Sequence, residues 1–290
     1  MSSEHQQEQF VEFDNSELNT GISYRQVSDA INRAKSGKAY LEIPNEALKN
    51  DQAKKLLHKF FNVCFEHGLS PLDWSESDIK PFPKKDKDPR DPLNNRCITI
   101  MCCIAKVYSS ILNARLQKYL SENELLVDEQ NGFRASRSCI DHIFTLVTIL
   151  RNRKSLGKST LVSFIDFKKA FDSVDRTLLL FKLSRIGVVG NIYQAISALY
   201  KDPKSRVMLN DFSTDWFSCP IGVKQGDTLS PTLFAIFIND LATEVKESGI
   251  GIEIDEGLLV NVLLYADDIV LLAESENDLQ SLLNIVHSWS

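Results

Sequence analysis

The spacing of hydrophobic residues predicts that the first half of the chain is mainly helical. Four segments place apolar residues at intervals of three and four positions, and they are residues 24–35, 46–67, 101–120 and 139–154. The first two segments end at glycines, Gly37 and Gly68, which commonly terminate helices. Residues 1–20 are polar and acidic and show no period, so we expect them to be a disordered lead-in.

Later in the chain, strand patterns alternate with helical ones. Residues 161–167, LVSFIDF, predict a strand, and residues 174–186 and 190–200 predict helices. A hairpin with arms at 205–210 and 214–219 follows. Together with the helices of the first half, this order of elements predicts an α+β fold.

The end of the chain adds a helix and a second hairpin. Ser230 and Pro231 are a typical N-cap and first helical residue for the apolar segment that follows them. Residues 260–274 place apolar residues on both sides of Asp267 and Asp268, which predicts a tight hairpin with acidic residues at its bend.

Two segments lack a regular period. Residues 79–96, IKPFPKKDKDPRDPLNNR, contain prolines that exclude regular helix, so we expect a long loop with strand fragments and turns. Residues 128–138, DEQNGFRASRS, predict a glycine-containing turn between two helices.

Composition excludes several classes of protein. With 290 residues and 43% apolar composition, the chain can form a large lobed domain or two closely associated ones. Its apolar runs are shorter than the roughly 18 residues of a membrane span, and its N-terminus lacks a signal-peptide pattern, so we expect an intracellular protein of the cytoplasm and nucleus. The 6 cysteines form no CxxC pair, which favours reduced thiols over a zinc site or disulfides.

The net charge of −6 conceals a strong asymmetry along the chain. Residues 81–210 carry 22 basic and 12 acidic side chains, a surplus of +10, whereas residues 211–290 carry 2 and 14, a balance of −12. A basic middle is what a polyphosphate partner requires, because cationic side chains replace the counterions of the phosphates. A solvated charged face is the alternative explanation.

Three aspartates combine into a candidate metal site. Asp166 ends a predicted strand and Asp267 and Asp268 lie at a predicted bend, so pairing of these strands would bring the three carboxylates to one edge. Carboxylates are the hard ligands that Mg²⁺ prefers, and two Mg²⁺ ions about 4 Å apart suit nucleotidyl transfer. Taken singly, each aspartate has an ordinary explanation as a turn or strand-end residue.

Five motifs in order resemble those of reverse transcriptases of non-LTR, LINE-type retrotransposons. FIDFKKAFDSVD (164–175), GVKQGDTLSPTLFAIFINDL (222–241) and YADD (265–268) are similar to the three catalytic motifs. NNRCITI (94–100) and QNGFRASRSCIDHI (130–143) resemble the two fingers motifs that precede them. The resemblance extends from about Val27 to Ala273.

The resemblance implies a right-hand polymerase fold of the α+β class. It places a fingers-type region with N-terminal helices at residues 21–158 and a ferredoxin-like (split βαβ) palm at residues 159–290, interleaved with the fingers. The family's further palm segment and helical thumb have no counterpart before Ser290, so a truncated chain without a thumb is expected.

The resemblance also implies roles for individual residues. Asp166, Asp267 and Asp268 would be catalytic and would hold two Mg²⁺ ions, or Mn²⁺ in their place, with the Phe167 carbonyl as a further ligand. The positions matching nucleotide contacts are Lys84, Lys85, Arg96, Ala170, Phe171, Gln225 and Gly226, and Phe171 matches an aromatic gate against the 2′-hydroxyl. Those matching template or primer contacts are Lys106, Arg115, Gly132 and Arg134. The implied partners are an RNA template, a DNA primer and deoxynucleoside triphosphates; no oligomeric state is implied.

Two other functions stay open at this point. Departures from the family pattern at Tyr40, Glu42, Asn95 and Cys97, together with the expected truncation, are compatible with an element remnant that at most binds nucleic acid. An RNA-templated RNA polymerase would share the metal site, but it would favour a small or polar residue in place of Phe171.

Overall fold

The chain forms two compact units in a computed structural model that describes residues 14–37, 39–40, 43–88, 90–255 and 257–290. The first unit comprises the described residues up to Asn123 together with Arg176–Pro220 and Gln225–Thr228. The second comprises Glu124–Asp175, Ile221–Lys224 and Leu229–Ser290. Each unit is therefore assembled from distant parts of the sequence. The division into a fingers-type region at 21–158 and a palm at 159–290 stays a prediction.

The helices and strands of the described residues follow in chain order. The helices are α1 Ser16–Asn19, α2 Tyr24–Arg33, α3 Asp51–His67, α4 Leu72–Ser75, α5 Cys103–Glu122, α6 Cys139–Ser155, α7 Ala170–Ser173, α8 Arg176–Arg185, α9 Asn191–Leu199, α10 Ser230–Glu247 and α11 Glu276–Trp289. Short 3₁₀ helices are formed by Asn45–Lys49 and Pro92–Asn94. The strands are β1 Ala39–Tyr40, β2 Ile43–Pro44, β3 Glu76–Pro83, β4 Asn95–Ile100, β5 Leu161–Asp166, β6 Lys204–Leu209, β7 Phe212–Ser213, β8 Phe217–Ser218, β9 Ile252–Asp255, β10 Leu258–Val260, β11 Val262–Tyr265 and β12 Asp268–Ala273.

The helices of the first unit pack around an aromatic cluster. Phe61, Trp74 and Tyr108 are almost fully buried, and their ring centroids lie 5.1–6.2 Å apart. The predicted helix at 46–67 begins later, at Asp51, because the Asn50 side chain accepts a hydrogen bond from the Ala53 N–H and caps the helix there.

The N-terminal lead-in differs from its prediction where it is described. Residues 1–13 lie outside the described residues. Ser16–Asn19 form a helical turn rather than an irregular segment, because Leu18 is only 3% exposed and packs into the core. A single buried apolar residue has no period, so the sequence pattern could not reveal it.

The sheet of the first unit has the order β4-β3-β6-β7, with β8 also paired to β6. β3 pairs antiparallel with β4 and parallel with β6. The segment at 79–96, predicted to be a long loop with strand fragments and turns, contains the end of β3, with Pro81 and Pro83, and the start of β4. Residues 84–94 connect these two arms of a hairpin. The predicted second arm at 214–219 is replaced by two short strands, β7 and β8.

The larger sheet of the second unit has three antiparallel strands in the order β11-β12-β5, and β9 and β10 form a separate two-stranded sheet. Leu263 and Leu272 pack with Ile149 of α6 in one cluster on one face. Leu264 and Leu271, both fully buried, point to the other face, where α10 and α11 pack. Because both faces are covered, β12 is apolar along nearly its whole length instead of alternating.

Helix α10 starts one residue earlier than predicted. Ser230 is the first residue of α10, Leu229 is its N-cap, and Pro231 lies within the first turn. A proline is tolerated there because first-turn N–H groups have no helical acceptor. None of the helices formed by the described residues has the length and apolar composition needed to cross a membrane.

Arg115 is buried and forms contacts within the protein, and its predicted contact with template or primer stays a prediction. It is 7% exposed, and its guanidinium donates to the carbonyls of Thr20 (2.5 Å) and Gly21 (2.9 Å) and to Oε1 of Gln26 (2.9 Å). It also lies over the Phe65 ring. This buried cation therefore ties α5 to the segment between α1 and α2.

We expect Arg115→Ala to lower the free energy of unfolding by roughly 3 kcal/mol, because several buried carbonyls lose their donor at once. Chemical denaturation measures the change. Lys118→Ala, on the exposed face of the same helix, is the control and should have a much smaller effect, because surface ion pairs contribute little. Equal effects of the two substitutions would contradict the structural role of Arg115.

Candidate active site

Three aspartates lie at one end of the three-stranded sheet of the second unit. In the β5–β12 pair, Asp166 lies directly opposite Asp268, and Asp267 lies in the bend between β11 and β12. Asp166 and Asp268 are exposed and Asp267 is half-buried. The predicted convergence of the three aspartates is thus what the strand register produces.

The electrostatics of this cluster favour a cation. Burial raises the pKa of Asp267, and the negative charges of Asp268 and Asp166 raise it further. A divalent cation would reverse this repulsion. Among the residues that the structure describes, no three His, Cys, Asp or Glu side chains converge closely enough to hold a metal by themselves. The donors present suit Mg²⁺ nonetheless, because it retains waters and takes oxygens from substrate phosphates.

Phe171 is held by neighbouring aromatic rings. It stacks on Phe234 with centroids 4.9 Å apart and meets Phe133 edge-on at 6.2 Å. Its carbonyl accepts a hydrogen bond from the Val223 N–H (2.8 Å), and the preceding Ala170 is buried. The ring at the predicted gate position is therefore fixed from two sides.

Phe167 continues directly from Asp166 at the end of β5. Its ring lies 6.0 Å from that of Trp289, which also contacts Phe237 and donates from its indole N–H to Asp240. The last helix, α11, is thereby connected to the segment that carries the first catalytic aspartate.

The QNGF segment packs directly beneath the bend that carries Asp267. Gln130 is 1% exposed, and its Oε1 accepts hydrogen bonds from the N–H groups of Gly132 (2.8 Å) and Ala266 (3.0 Å). A Cβ on Gly132 would lie 2.2 Å from the Ala266 nitrogen, so only glycine permits this approach. Gly132 therefore contacts the bend, and its predicted contact with template or primer stays a prediction.

Arg134 also supports this segment. Its Nη1 donates to the carbonyls of Val127 (2.7 Å) and Gln130 (3.3 Å), and its side chain is half-buried. Sequence reasoning missed Gln130 as a site residue, although it begins the QNGF motif. A buried glutamine that binds backbone of a distant strand has no signal in the sequence beyond that motif.

The predicted nucleotide-binding residues of the first unit lie on or beside its sheet. Lys84 and Lys85 follow β3 and Arg96 lies in β4, and all three side chains are exposed. The β3–β4 pairing brings these cations to one end of a hairpin, with the Lys84 N–H donating to Asn94 (2.8 Å). Lys106, near the start of α5, is half-buried.

The Gln225–Gly226 loop packs on β4. The Gln225 carbonyl accepts a hydrogen bond from the Thr99 N–H (2.7 Å). Gly226 has a φ of +124°, and a Cβ there would lie 2.7 Å from the Thr99 carbonyl oxygen. Glycine is thus required for both the conformation and the close approach. The next residue, Asp227, accepts a 2.5 Å hydrogen bond from Ser109.

Comparison with known proteins identifies the family. Residues 82–290 match the family model described as reverse transcriptase (RNA-dependent DNA polymerase). The chain belongs to the reverse transcriptase family. Members of this family generally use divalent metal ions, in keeping with the acidic cluster at the end of the sheet.

Proteins of non-LTR retrotransposons are similar to this chain over most of its length, which confirms the predicted resemblance. The chain is 24% identical over 246 residues to the RNA-directed DNA polymerase from mobile element jockey of Drosophila melanogaster, covering 83% of this chain and 26% of the relative. It is 27% identical over 237 residues to the Pol polyprotein from the R2 element of Nasonia vitripennis, covering 80% and 22%. The chain thus spans about a quarter of the length of these relatives.

Solved structures show the same fold. Telomerase from Candida albicans, in complex with a fragment of telomeric RNA, superposes with a TM-score of 0.53 at 11% identity, over 81% of this chain and 43% of the telomerase chain. Telomerase from Candida tropicalis gives a TM-score of 0.52 at 10% identity, over 84% and 58%. The predicted α+β polymerase fold is confirmed.

We expect Gly132→Ala to destabilise the second unit by about 2 kcal/mol, because the added methyl must displace the bend backbone. Hydrogen exchange of peptides covering residues 262–268 should accelerate. Gly157→Ala is the matched control: a Cβ there meets no atom within 4 Å and adds only the strain of a φ of +68°. If both variants leave exchange at 262–268 unchanged, Gly132 does not support the bend.

Proposed function

We propose that this chain is an RNA-directed DNA polymerase domain, copying RNA into DNA by two-metal nucleotidyl transfer for retrotransposition. The observation that carries the proposal is the register of β5 and β12, which puts Asp166 opposite Asp268 with Asp267 in the adjoining bend. Three carboxylates at a sheet end, on a chain of the reverse transcriptase family, support this chemistry.

The resemblance to the family implies distinct roles for the three aspartates. Asp166 and Asp267 would hold two Mg²⁺ ions, or Mn²⁺, with the Phe167 carbonyl as a further hard ligand, and Asp268 would support the side of the primer terminus. When bound, these ions supply the positive charge that acidifies the primer 3′-hydroxyl and stabilises the transferring phosphoryl group. The chain's own contribution is to orient the carboxylates on a rigid strand pair.

Selection of deoxynucleotides follows from the fixed ring of Phe171. A ring held between Phe234 and Phe133 cannot rotate away easily, so it would exclude a sugar that carries a 2′-hydroxyl. Ala170, which precedes Phe171 and is buried, would contact the same nucleotide. This arrangement favours the DNA polymerase over the RNA-templated RNA polymerase that the motifs alone left open.

The charged partners would be bound by the basic residues. Exposed Lys84, Lys85 and Arg96 suit a triphosphate, since arginine binds phosphate oxygens in a fork and lysine acts as a point charge. The Gln225–Gly226 loop would face the incoming nucleotide. Lys106 and the exposed part of Arg134 would contact the phosphates of the RNA template or the DNA primer. The site of action would be the cytoplasm and nucleus.

Replacing Asp166 or Asp267 with Ala should abolish Mg²⁺-dependent primer extension on an RNA template, with a loss of at least about 10³-fold, because charge stabilisation at the metal site is lost. Glu247→Gln, which removes an exposed charge at the end of α10, is the control and should extend at the wild-type rate. Extension that persists in either aspartate variant would refute the site. Salt-dependent RNA binding without incorporation by the wild-type chain would favour the inactive remnant.

Replacing Phe171 with Val should lower discrimination against ribonucleotides by about 10-fold or more, because the wall facing the 2′ position recedes. The ratio of kcat/KM for a deoxynucleotide and its ribonucleotide measures the effect. Phe164→Val changes a 73% exposed phenylalanine on β5 and should leave the ratio unchanged. Equal ratios in wild type and Phe171→Val would remove the gate assignment.

A further inference from the structure

Ala266, which immediately precedes Asp267, adopts a backbone conformation that alanine disfavours. Its φ is +60°, in the left-handed region, and it lies in the bend of the β11–β12 hairpin. Hairpin bends with a positive φ generally use Gly, Asn or Asp. Another part of the protein must therefore stabilise this residue, and with it the direction of the Asp267 side chain.

The Gln130 side chain binds both backbone groups of Ala266. Its Oε1 accepts from the Ala266 N–H at 3.0 Å, and its Nε2 donates to the Ala266 carbonyl at 3.4 Å. Oε1 also accepts from the Gly132 N–H at 2.8 Å. One buried amide thus links the bend to the QNGF segment. Its oxygen accepts a hydrogen bond from the bend, and its nitrogen donates one to the bend.

The backbone around Gln130 is itself fixed on β11. The Leu264 N–H donates to Glu129 at 2.8 Å, and the Asn131 N–H donates to the Leu264 carbonyl at 2.9 Å, which makes a short parallel extension of the sheet. His142 of α6 reaches the same carbonyl at 2.9 Å through Nε2 and contacts the Asn131 amide through Nδ1. Gln130 is therefore held rigidly enough to impose a conformation on the bend.

We propose that Gln130 is a positioning residue for the metal site: it holds Ala266 in its left-handed conformation and so aims the Asp267 carboxylate at the bound cation. This inference rests on the proposed function, because it assumes that Asp267 is a metal ligand. Leucine at position 130 fills similar space but offers neither the acceptor nor the donor.

The test is Mn²⁺ binding to the 290-residue chain, followed by electron paramagnetic resonance, in wild type, Gln130→Leu and Gln130→Leu with Ala266→Gly. We expect Gln130→Leu to weaken binding by about 10-fold, the scale on which outer partners of metal ligands act. Ala266→Gly should restore much of the affinity, because glycine adopts a positive φ without the hydrogen bonds from Gln130. Gln280→Leu, an exposed glutamine of α11, is the control and should not change the affinity.

Hydrogen exchange provides a readout that does not depend on metal. Peptides containing Ala266 should exchange faster in Gln130→Leu than in wild type, while those of α10 should not change. A lower melting temperature with unchanged Mn²⁺ affinity and unchanged exchange at the bend would mean that Gln130 only stabilises the fold, and would overturn the proposal.

Asp267→Asn separates this inference from the proposed function. If this variant binds Mn²⁺ like wild type, Asp267 is not a ligand and the metal site itself is wrong. If Asp267→Asn weakens binding but Gln130→Leu does not, the metal site stands and the positioning role of Gln130 fails.

Discussion

Antiparallel pairing between β5 and β12 is the interaction on which the candidate site depends. Its register places Asp166 opposite Asp268, and five further residue pairs continue the ladder to Leu161 and Ala273. Because side chains alternate across a strand, a slip of one residue would turn the carboxylates to opposite faces. Such a slip would also move Leu271 and Leu272 each to the opposite covered face of the sheet and disrupt the packing on both faces. The hydrophobic core and the acidic site therefore enforce the same register.

A second constraint is the accumulation of negative charge where the strands end. The pKa of Asp267 is raised by burial and by its two acidic neighbours, so the site is electrostatically unfavourable without a cation. The backbone beneath it is correspondingly well bonded, through Glu129, Gln130 and Asn131 on the adjacent segment. These hydrogen bonds fix the backbone on which Asp267 is placed.

Sequence patterns predicted most of the local structure because most of it is determined locally. The α+β class and the hairpin around Asp267 follow from apolar periodicity, and Gly68 ends α3 in the left-handed conformation as predicted. Burial that depends on distant contacts is what the sequence pattern does not show. Arg115 has the spacing of a surface cation but is buried against carbonyls of residues 18–21, and Leu18 gains its burial only from packing. No local pattern distinguishes such residues from solvated ones.

The QNGF segment shows how a family motif combines chemistry with support for that chemistry. Resemblance assigns Gly132 and Arg134 to the nucleic acid, which stays a prediction, and both also have contacts within the protein, to Ala266 and to the carbonyls of Val127 and Gln130. One motif can contain both residues that contact substrate and residues that position the substrate-contacting ones. The two cases differ in burial: Gly132 and Gln130 are buried, whereas Asp166 and Asp268 are exposed. The aspartates thus reach solvent fully or, for Asp267, in part, while the residues that support the bend are buried, as a preorganised metal site requires.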